Sequence, residues 1–261
     1  MVLDDEEINS YFYEKGLELY NIHKKLSRNS LDKYIVDNDA LDASKIEEDW
    51  FPPIKADVFL SHSHKDEKLA ITFAGWLSET FHVTVFIDSC VWGYSDELLS
   101  IIDKKYCISK EKTNGGYIYN YDKRNKSTTH VHMILNGALA KMIDSTECIM
   151  FLNTPNSIKM NELMNKSITD SSWIYSELLM SKIIRNKKLI EYRKEEIVFA
   201  EKQELSHSEL NVQYYIETDH LIDISWKDLC YVKMVTPNLE KKYAALDMLY
   251  EYKGVMAYEH E

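Results

Sequence analysis

Glycine is scarce in this sequence, with seven residues in 261, and the glycine-rich nucleotide loops are missing. There is no G-x-G-x-x-G run and no G-x-x-x-x-G-K-[ST] run, the two loops whose backbone cradles phosphates in Rossmann and P-loop proteins. There is also no G-x-S-x-G turn, so a serine-hydrolase triad is not indicated. If the chain handles a nucleotide, it does so without these fingerprints.

Positive charge is in deficit as well. The chain has 31 Lys and Arg against 43 Asp and Glu, a formal net charge of −12, and no basic block offsets this locally. Sequence-independent binding of nucleic acid or of an anionic membrane is therefore disfavoured. A small anionic substrate needs a local positive site.

Long apolar runs and paired cysteines are missing too. No run has transmembrane length, and the first ten residues, MVLDDEEINS, are acidic, unlike a signal peptide. The four cysteines are widely spaced without a C-x-x-C pair, which is typical of free thiols in a reducing compartment. We therefore expect a cytoplasmic protein with neither a membrane nor a nucleic-acid partner.

Prolines are few, and two of the four stand together at Pro52 and Pro53. Before them, apolar residues recur at helical spacing over a charged face, namely Ile8, Tyr11, Phe12, Leu17, Leu19 and Tyr20. Proline disfavours a helical residue before it. We therefore predict an N-terminal helical extension over residues 1–50, used for packing or oligomerisation, and a domain boundary at the proline pair.

Short apolar runs alternate with amphipathic helical patterns in the rest of the chain. Strands are predicted at 56–60, 83–88 and 147–152, with shorter ones at 197–200, 212–216 and 221–224. The alternation predicts an α/β fold with a doubly wound parallel sheet over 54–235, followed by a C-terminal helix in 236–261. Residues 89–96 and 157–169 read as loops. The polar stretch 109–128 is predicted to be a surface insertion, with a hairpin indicated by the alternation of Tyr117, Tyr119 and Tyr121.

A Ser/His cluster follows the first predicted strand, at the sheet edge where open α/β folds bind ligands. His62, His64 and Asp66 are ligand types that zinc accepts. H-x-H-x-D also begins the metal site of metallo-β-lactamase-type hydrolases, but Glu67 stands where that pattern continues with His. A metal-dependent hydrolase is therefore kept as a minor alternative, and no metal ligand is predicted.

Glu177 is the best candidate for a catalytic acid. It lies on a predicted helix over 173–184, four residues after Trp173, so the two side chains share a face. A carboxylate beside the crevice at the strand ends is partly desolvated and can shift its pKa. The alternative is a solvated helical glutamate, which composition alone favours.

Four segments in this order resemble a TIR (Toll/interleukin-1 receptor) domain. They are DVFLSHSHKDE, VTVFID with the following SCVWGYSD, ECIMFLNTPN and SSWIYSEL. The resemblance covers residues 54–235 and implies a flavodoxin-like sheet. It departs from the family at Val91-Trp92-Gly93, where TIR domains carry a proline-glycine pair in their BB loop.

The resemblance implies NAD+ as substrate and cleavage of the bond between ribose and nicotinamide, with no further cofactor. Glu177 matches the catalytic glutamate of NAD-cleaving TIR domains. Ser61, His62, Asp88, Trp92 and Trp173 are the implied substrate-binding residues. The product, linear or cyclic ADP-ribose, is expected to be an antiviral signal of the Thoeris kind that a separate effector reads. TIR enzymes also self-associate to complete the site.

A non-enzymatic TIR adaptor, acting through TIR–TIR association, is the alternative from another functional class. An adaptor has no need of an acid within SSWIYSEL, so the presence of Glu177 favours the enzyme. Both hypotheses rest on family analogy, because a shared fold alone does not fix function.

Overall fold

A three-stranded parallel sheet lies at the centre of a mixed α/β fold in the computed structural model. The structure describes residues 6–24, 31–35, 41–52, 54–112, 116–161, 166–184, 187–192, 214–236 and 241–255. The strands are β1 (Val58–Ser61), β2 (Val85–Ile87), β3 (Ile108–Glu111), β4 (Tyr117–Tyr119), β5 (Cys148–Phe151), β6 (Lys159–Asn161), β7 (Lys166–Thr169) and β8 (Tyr214–Tyr215). The α-helices are α1 (Glu6–Lys24), α2 (Ala43–Trp50), α3 (Glu67–Phe81), α4 (Ser89–Ile102), α5 (Tyr121–Ser145), α6 (Ser172–Ile183), α7 (Leu189–Tyr192), α8 (Trp226–Val235) and α9 (Ala244–Lys253).

The parallel sheet has the order β2-β1-β5, with β1 in the middle. Leu60 pairs with Ile87 on one side and with Met150 on the other. Val58, Phe59 and Leu60 are completely buried, as expected for a central parallel strand that is covered on both faces. These three strands coincide with the three main predicted strands, so the α/β class is confirmed.

The shorter predicted strands do not extend this sheet in the described part of the chain. Residues 197–200 lie outside the described residues. Within 212–216, Tyr214 and Tyr215 form β8, but this strand pairs antiparallel with β7 in a different sheet. Residues 221–224 form no strand, and Ile222 and Ile224 are exposed, so the prediction there was wrong. Their apolar side chains lack a sheet neighbour that would bury them.

The loop predicted at 157–169 was also wrong, because the segment contains two strands of an antiparallel sheet with the order β6-β7-β8. Lys159 pairs with Ile168, which in turn pairs with Tyr215. Ile168 is buried, whereas Lys159 and Met160 are exposed. A mostly polar segment like this gives no apolar alternation to recognise, and its strands are held through backbone pairing with each other and with β8.

The hairpin predicted within the insertion is present as β3 and β4, which pair antiparallel. The insertion is shorter than predicted, because α5 begins at Tyr121 and not near Val131. The Asn120 side chain caps this helix by accepting from the Lys123 amide at 3.0 Å. An asparagine cap stabilises a helix start by satisfying one of its free N–H groups.

The loop predicted over Ser89 to Asp96 was wrong, since helix α4 begins at Ser89 directly after β2. Its buried residues Cys90, Tyr94, Leu98 and Ile102 recur every four positions and form one face. That burial outweighs the cost of Gly93 in a helix, about 1 kcal/mol relative to alanine. The helix continues as a π-helical turn, Asp103–Cys107.

The helices within residues 1–50 pack into the same hydrophobic core as the sheet. Helices α1 and α3 cross at Gly16 and Gly75. A Cβ at Gly16 would lie 1.8 Å from the Ile71 carbonyl oxygen, and one at Gly75 would lie 2.0 Å from that of Phe12. Only glycine permits this approach of the two backbones.

The C-terminal helices α8 and α9 close the core on the side of α3. Trp226 opens α8 with its ring 4.6 Å from that of Trp76 on α3. Ser225 and Asp228 form a capping box at this helix start. The short helix predicted after Trp226 is confirmed and runs to Val235. The helix predicted from Pro237 begins only at Ala244, because residues 241–243 form a bend and a turn, and residues 237–240 lie outside the described part of the chain.

Candidate functional site

The ends of β1 and β2 bring Ser61, His62 and Asp88 together. Because Leu60 and Ile87 are paired in register, the residues that follow them meet at the carboxyl edge of the sheet. The Asp88 amide donates to the Leu60 carbonyl at 3.3 Å, and the His62 amide donates to Asp88 Oδ2 at 3.3 Å. Backbone geometry thus fixes the Asp88 carboxylate beside His62.

His62 and Asp88 form a buried ion pair. Nδ1 of His62 lies 2.5 Å from Oδ1 of Asp88, and both side chains are completely buried. Burial lowers the pKa of His62, but the Asp88 carboxylate more than offsets this effect, so that the net pKa is raised. The pair therefore favours an imidazolium next to an aspartate.

Glu177 reaches this pair from helix α6. The helix begins after Ser171, whose side chain accepts from the Ile174 amide. Glu177 is only 2% exposed and lies between the buried residues Ile174 and Leu178 along the helix. The Ser61 hydroxyl donates to Glu177 Oε2 at 2.6 Å, across 116 residues of sequence. The solvated helical glutamate that composition favours is therefore not what the structure shows.

The carboxyl group of Glu177 is held in an environment that disfavours its charge. Its pKa is raised well above the usual value, first by burial and then by the nearby Asp88 carboxylate. The hydrogen bond from Ser61 lowers the Glu177 pKa, but it does not offset the effects of burial and of Asp88. Glu177 thus keeps its proton at pH values where an exposed glutamate has lost it.

Only one oxygen of Glu177 accepts a hydrogen bond from the described residues. Oε1 is buried and accepts none, but a protonated Glu177 can donate a hydrogen bond to the Asp88 carboxylate, and this interaction raises the Glu177 pKa. Ser61, His62, Asp88 and Glu177 together are called the edge cluster below.

The edge cluster contains four of the six residues predicted for the site. Trp173 lies one turn before Glu177 on α6, partly buried, with its ring edge-on to that of His132 on α5 at 5.5 Å. The structure therefore shows Trp173 packing between helices. The backbone of Trp92 lies in helix α4, but its side chain is outside the described part of the structure.

A second polar contact joins the loops above the edge cluster, and the sequence did not single it out. Asp66, just before α3, accepts from Thr154 Oγ1 at 2.5 Å and from Asn156 Nδ2 at 2.7 Å. These loops follow β1 and β5 at the same carboxyl edge. The turn formers Asn153-Thr154-Pro155-Asn156 at a strand end were the available signal, because such positions lie at the ligand edge of open α/β sheets.

The two histidines of the H-x-H-x-D pattern lie in different surroundings. His62 is buried against Asp88, whereas His64 is exposed. Among the described residues, no group of three His, Cys, Asp or Glu side chains is arranged to hold a metal ion. Nor does the described part contain a helix long and apolar enough to cross a membrane.

The edge cluster is closed in this conformation, and two pockets lie elsewhere. One, of about 480 Å³, is formed by α2, the end of α4 with its π-helical turn, and α5. Another, of about 270 Å³, is lined by Tyr175 and Leu178 of α6 and by Ile216. Neither is lined by Glu177, which is only 2% exposed.

Comparison of the chain with protein-family models, with curated proteins and with solved structures found no match.

Proposed function

We propose that this protein is a TIR-like enzyme that cleaves NAD+ between ribose and nicotinamide, with Glu177 as its catalytic residue. The observation that carries the proposal is the burial of Glu177 against Ser61 and Asp88 at the carboxyl edge of a parallel sheet. Glutamate is almost never fully buried without a cationic partner. Carboxyl groups with a strongly perturbed pKa concentrate at functional sites.

The proposed fold is the flavodoxin-like doubly wound sheet of TIR domains. Along the chain, the three parallel strands are the first, second and third, and their spatial order is second, first, third. This order is the beginning of the flavodoxin-like arrangement 2-1-3-4-5. In that arrangement ligands bind at the strand ends, where the edge cluster lies.

The proposed reaction needs little from the protein beyond stabilisation of a cation. The bond between ribose C1′ and the nicotinamide nitrogen breaks, and nicotinamide leaves with the bonding electrons as a neutral molecule. The ribosyl group that remains resembles an oxocarbenium ion, as in glycoside hydrolysis. Water then adds to C1′ and releases a proton, giving ADP-ribose; attack by a group of the ADP-ribose itself gives a cyclic product instead.

Glu177 acts in this scheme as a carboxylate, although burial and Asp88 raise the pKa of its carboxyl group in the closed cluster. The nicotinamide ring of NAD+ is positively charged, and a cation that enters beside Glu177 lowers the pKa of its carboxyl group. Binding therefore favours release of the proton to solvent water as the cluster opens, which leaves a carboxylate that stabilises the developing ribosyl cation. Ser61 keeps donating to this carboxylate, and its bond strengthens when the acceptor is charged.

His62 and Asp88 have positioning roles in this proposal. His62 is buried against Asp88, and the Asp88 charge keeps Glu177 protonated until substrate arrives. Trp92 and Trp173 are the proposed ring-stacking residues. Self-association is proposed as the event that opens the edge cluster, and a separate effector as the reader of the product. The proposed location is the cytoplasm, in keeping with four free cysteines.

Incubation of the purified chain with NAD+ tests the proposal, with products resolved by chromatography. The assay is run on the protein alone and after exposure to a phage-infected lysate. We expect nicotinamide release in at least one condition, and a loss of at least about 100-fold in Glu177→Gln, the size of effect seen when a key electrostatic group is removed. The control Glu251→Gln changes an exposed glutamate on α9 and should retain full activity.

Two results would overturn the proposal. Absence of nicotinamide release in both conditions would favour the TIR adaptor. Full activity of Glu177→Gln would remove this residue from the chemistry, even if NAD+ is cleaved.

A further inference from the structure

The pocket between α2, the π-helical turn and α5 is a concave apolar site that the proposed NAD+ chemistry does not use. Its volume of about 480 Å³ is in the range of small-molecule sites, which span about 300–1,000 Å³. Leu41, Ile46, Ile102 and Ile134 supply its apolar surface. It lies beside the π-helical turn Asp103–Cys107, and such turns are frequent at functional sites.

Basic residues contribute to the lining of this pocket. Lys123, Lys126 and His130 lie on one face of α5, at helical spacing, and all three line the pocket. No acidic residue among the described ones lines it. Within the described part of the chain, neither lysine has an ion-pair partner. In a chain with a net charge of −12, two lysines clustered at a pocket form a local positive site for an anion, although Asp122 precedes them in the first turn of α5.

Two of the described acids near this pocket, Asp103 and Glu47, already have basic partners. Asp103 accepts from Arg124 Nε at 2.9 Å and also from the Ser127 hydroxyl. Glu47 of α2 accepts from Lys141 Nζ at 2.6 Å. These pairs leave Lys123 and Lys126 to attract a negative ligand.

One residue of the pocket lining carries a buried hydroxyl group that lacks a described hydrogen-bond partner. Tyr106 of the π-helical turn lines the pocket, and the buried Tyr106 hydroxyl has no hydrogen-bond partner among the described residues. An unsatisfied buried hydroxyl destabilises the fold, and a ligand that forms a hydrogen bond with it removes this cost. The hydroxyl can donate to a ligand oxygen or accept from a ligand N–H group.

We propose that this pocket binds a small amphipathic anion, with an apolar body against the aliphatic side chains and a carboxylate or phosphate head at Lys123 and Lys126. The apolar body accounts for the aliphatic lining, and the anionic head accounts for the two lysines. The edge cluster takes no part in this site. Binding here is therefore independent of whether the protein cleaves NAD+.

Isothermal titration calorimetry of the full chain tests the site with four eight-carbon probes: octanoate, octyl phosphate, octanol and octylammonium. We expect saturable binding of at least one anion, and binding at least about tenfold weaker for octanol and octylammonium, equivalent to about 1.4 kcal/mol. The tighter of the two anions identifies the head group. Absence of saturable binding of both anions, or equal binding of octanol, would overturn the proposal.

Variants test whether the anion binds in this pocket. Lys123→Glu with Lys126→Glu should weaken anion binding by at least about tenfold, and acidic residues in the first turns of α5 suit the helix dipole, so folding is preserved. The control Lys233→Glu changes an exposed lysine of α8 away from the pocket and should bind like the wild type. Ala43→Trp fills the pocket from α2 and should therefore also weaken anion binding. Unchanged binding in the double lysine variant, or an equal loss in Lys233→Glu, would overturn the assignment.

Discussion

The surroundings of Glu177 differ from those of an ordinary helical glutamate. Ser61 donates to it from the end of β1, and Asp88 adds a negative charge from the end of β2. These partners are 116 and 89 positions away in a 261-residue chain, so local sequence does not reveal the burial. The candidate acid could be predicted from its resemblance to a family motif. Its raised pKa could not, because that depends on how the chain brings three segments together.

The first prediction concerns the pH dependence of stability in Glu177→Gln. The pKa of Glu177 is higher in the folded than in the unfolded chain. Its contribution to stability is thus fully present below the unfolded pKa and is lost as pH rises through the folded pKa. Glutamine is neutral at every pH, so the Glu177→Gln variant does not lose this stability. We expect the variant to exceed the wild type at pH 8 by on the order of 1 kcal/mol in unfolding free energy.

Urea denaturation at pH 4.5, 6 and 8 measures this difference. The excess unfolding free energy of Glu177→Gln over the wild type should shrink toward pH 4.5, where the wild-type carboxyl is protonated in the folded state. His62 also has a raised pKa, but it is present in both proteins and its contribution largely cancels. Glu251→Gln, on the exposed surface, should show no such pH trend. A Glu177→Gln variant less stable than the wild type at pH 8 would mean that the buried carboxyl is ionised.

At the scale of elements, the predictable strands are those with continuous apolar runs. β1, β2 and β5 are buried by helices on a parallel sheet and therefore show this pattern in sequence. Strands β6 and β7 were missed because their stability comes from antiparallel pairing and not from an apolar face. The first half of helix α4, over Ser89 to Asp96, was predicted to be a loop although Cys90, Tyr94 and Leu98 have helical spacing, because Gly93 and the resemblance to the BB loop outweighed that pattern.

The crossing of α1 and α3 yields a prediction about glycine. Gly75→Ala places a methyl group 2.0 Å from the Phe12 carbonyl oxygen, so the two helices must separate. We expect a loss of at least about 2 kcal/mol, within the range for overpacked cores. Gly137→Ala is the matched control, since its Cβ meets only a side-chain atom of Glu47 at 3.8 Å. This control should gain up to about 1 kcal/mol from helix propensity.

Thermal unfolding of both alanine variants tests the crossing. A Gly75→Ala protein with wild-type stability would show that α1 moves away from α3 without cost. Reduced stability of Gly137→Ala would instead point to a general penalty for added methyl groups in this fold.

For the molecule as a whole, the N-terminal helices share one core with the sheet. Tyr34, Ile46 and Trp50 are at most 3% exposed, and α1 covers α3 through the glycine crossing. Residues 1–50 were predicted to be an extension because the proline pair follows them. A proline pair indicates where a helix ends, but it does not show whether the helix packs on the next segment.

Deletion of residues 1–50 tests how far the remaining chain depends on these helices. Burial of one large apolar side chain stabilises the fold by about 1.5–3 kcal/mol, and whole domains are stable by only about 5–15 kcal/mol. Loss of Tyr34, Ile46 and Trp50 together with the cover of α3 is therefore expected to abolish cooperative unfolding, as followed by circular dichroism and calorimetry. Adding residues 1–50 back as a separate peptide should restore it in part. A truncated chain that unfolds cooperatively at the wild-type temperature would instead establish residues 51–261 as an independent domain, and the N-terminal helices as an attachment that the core does not require.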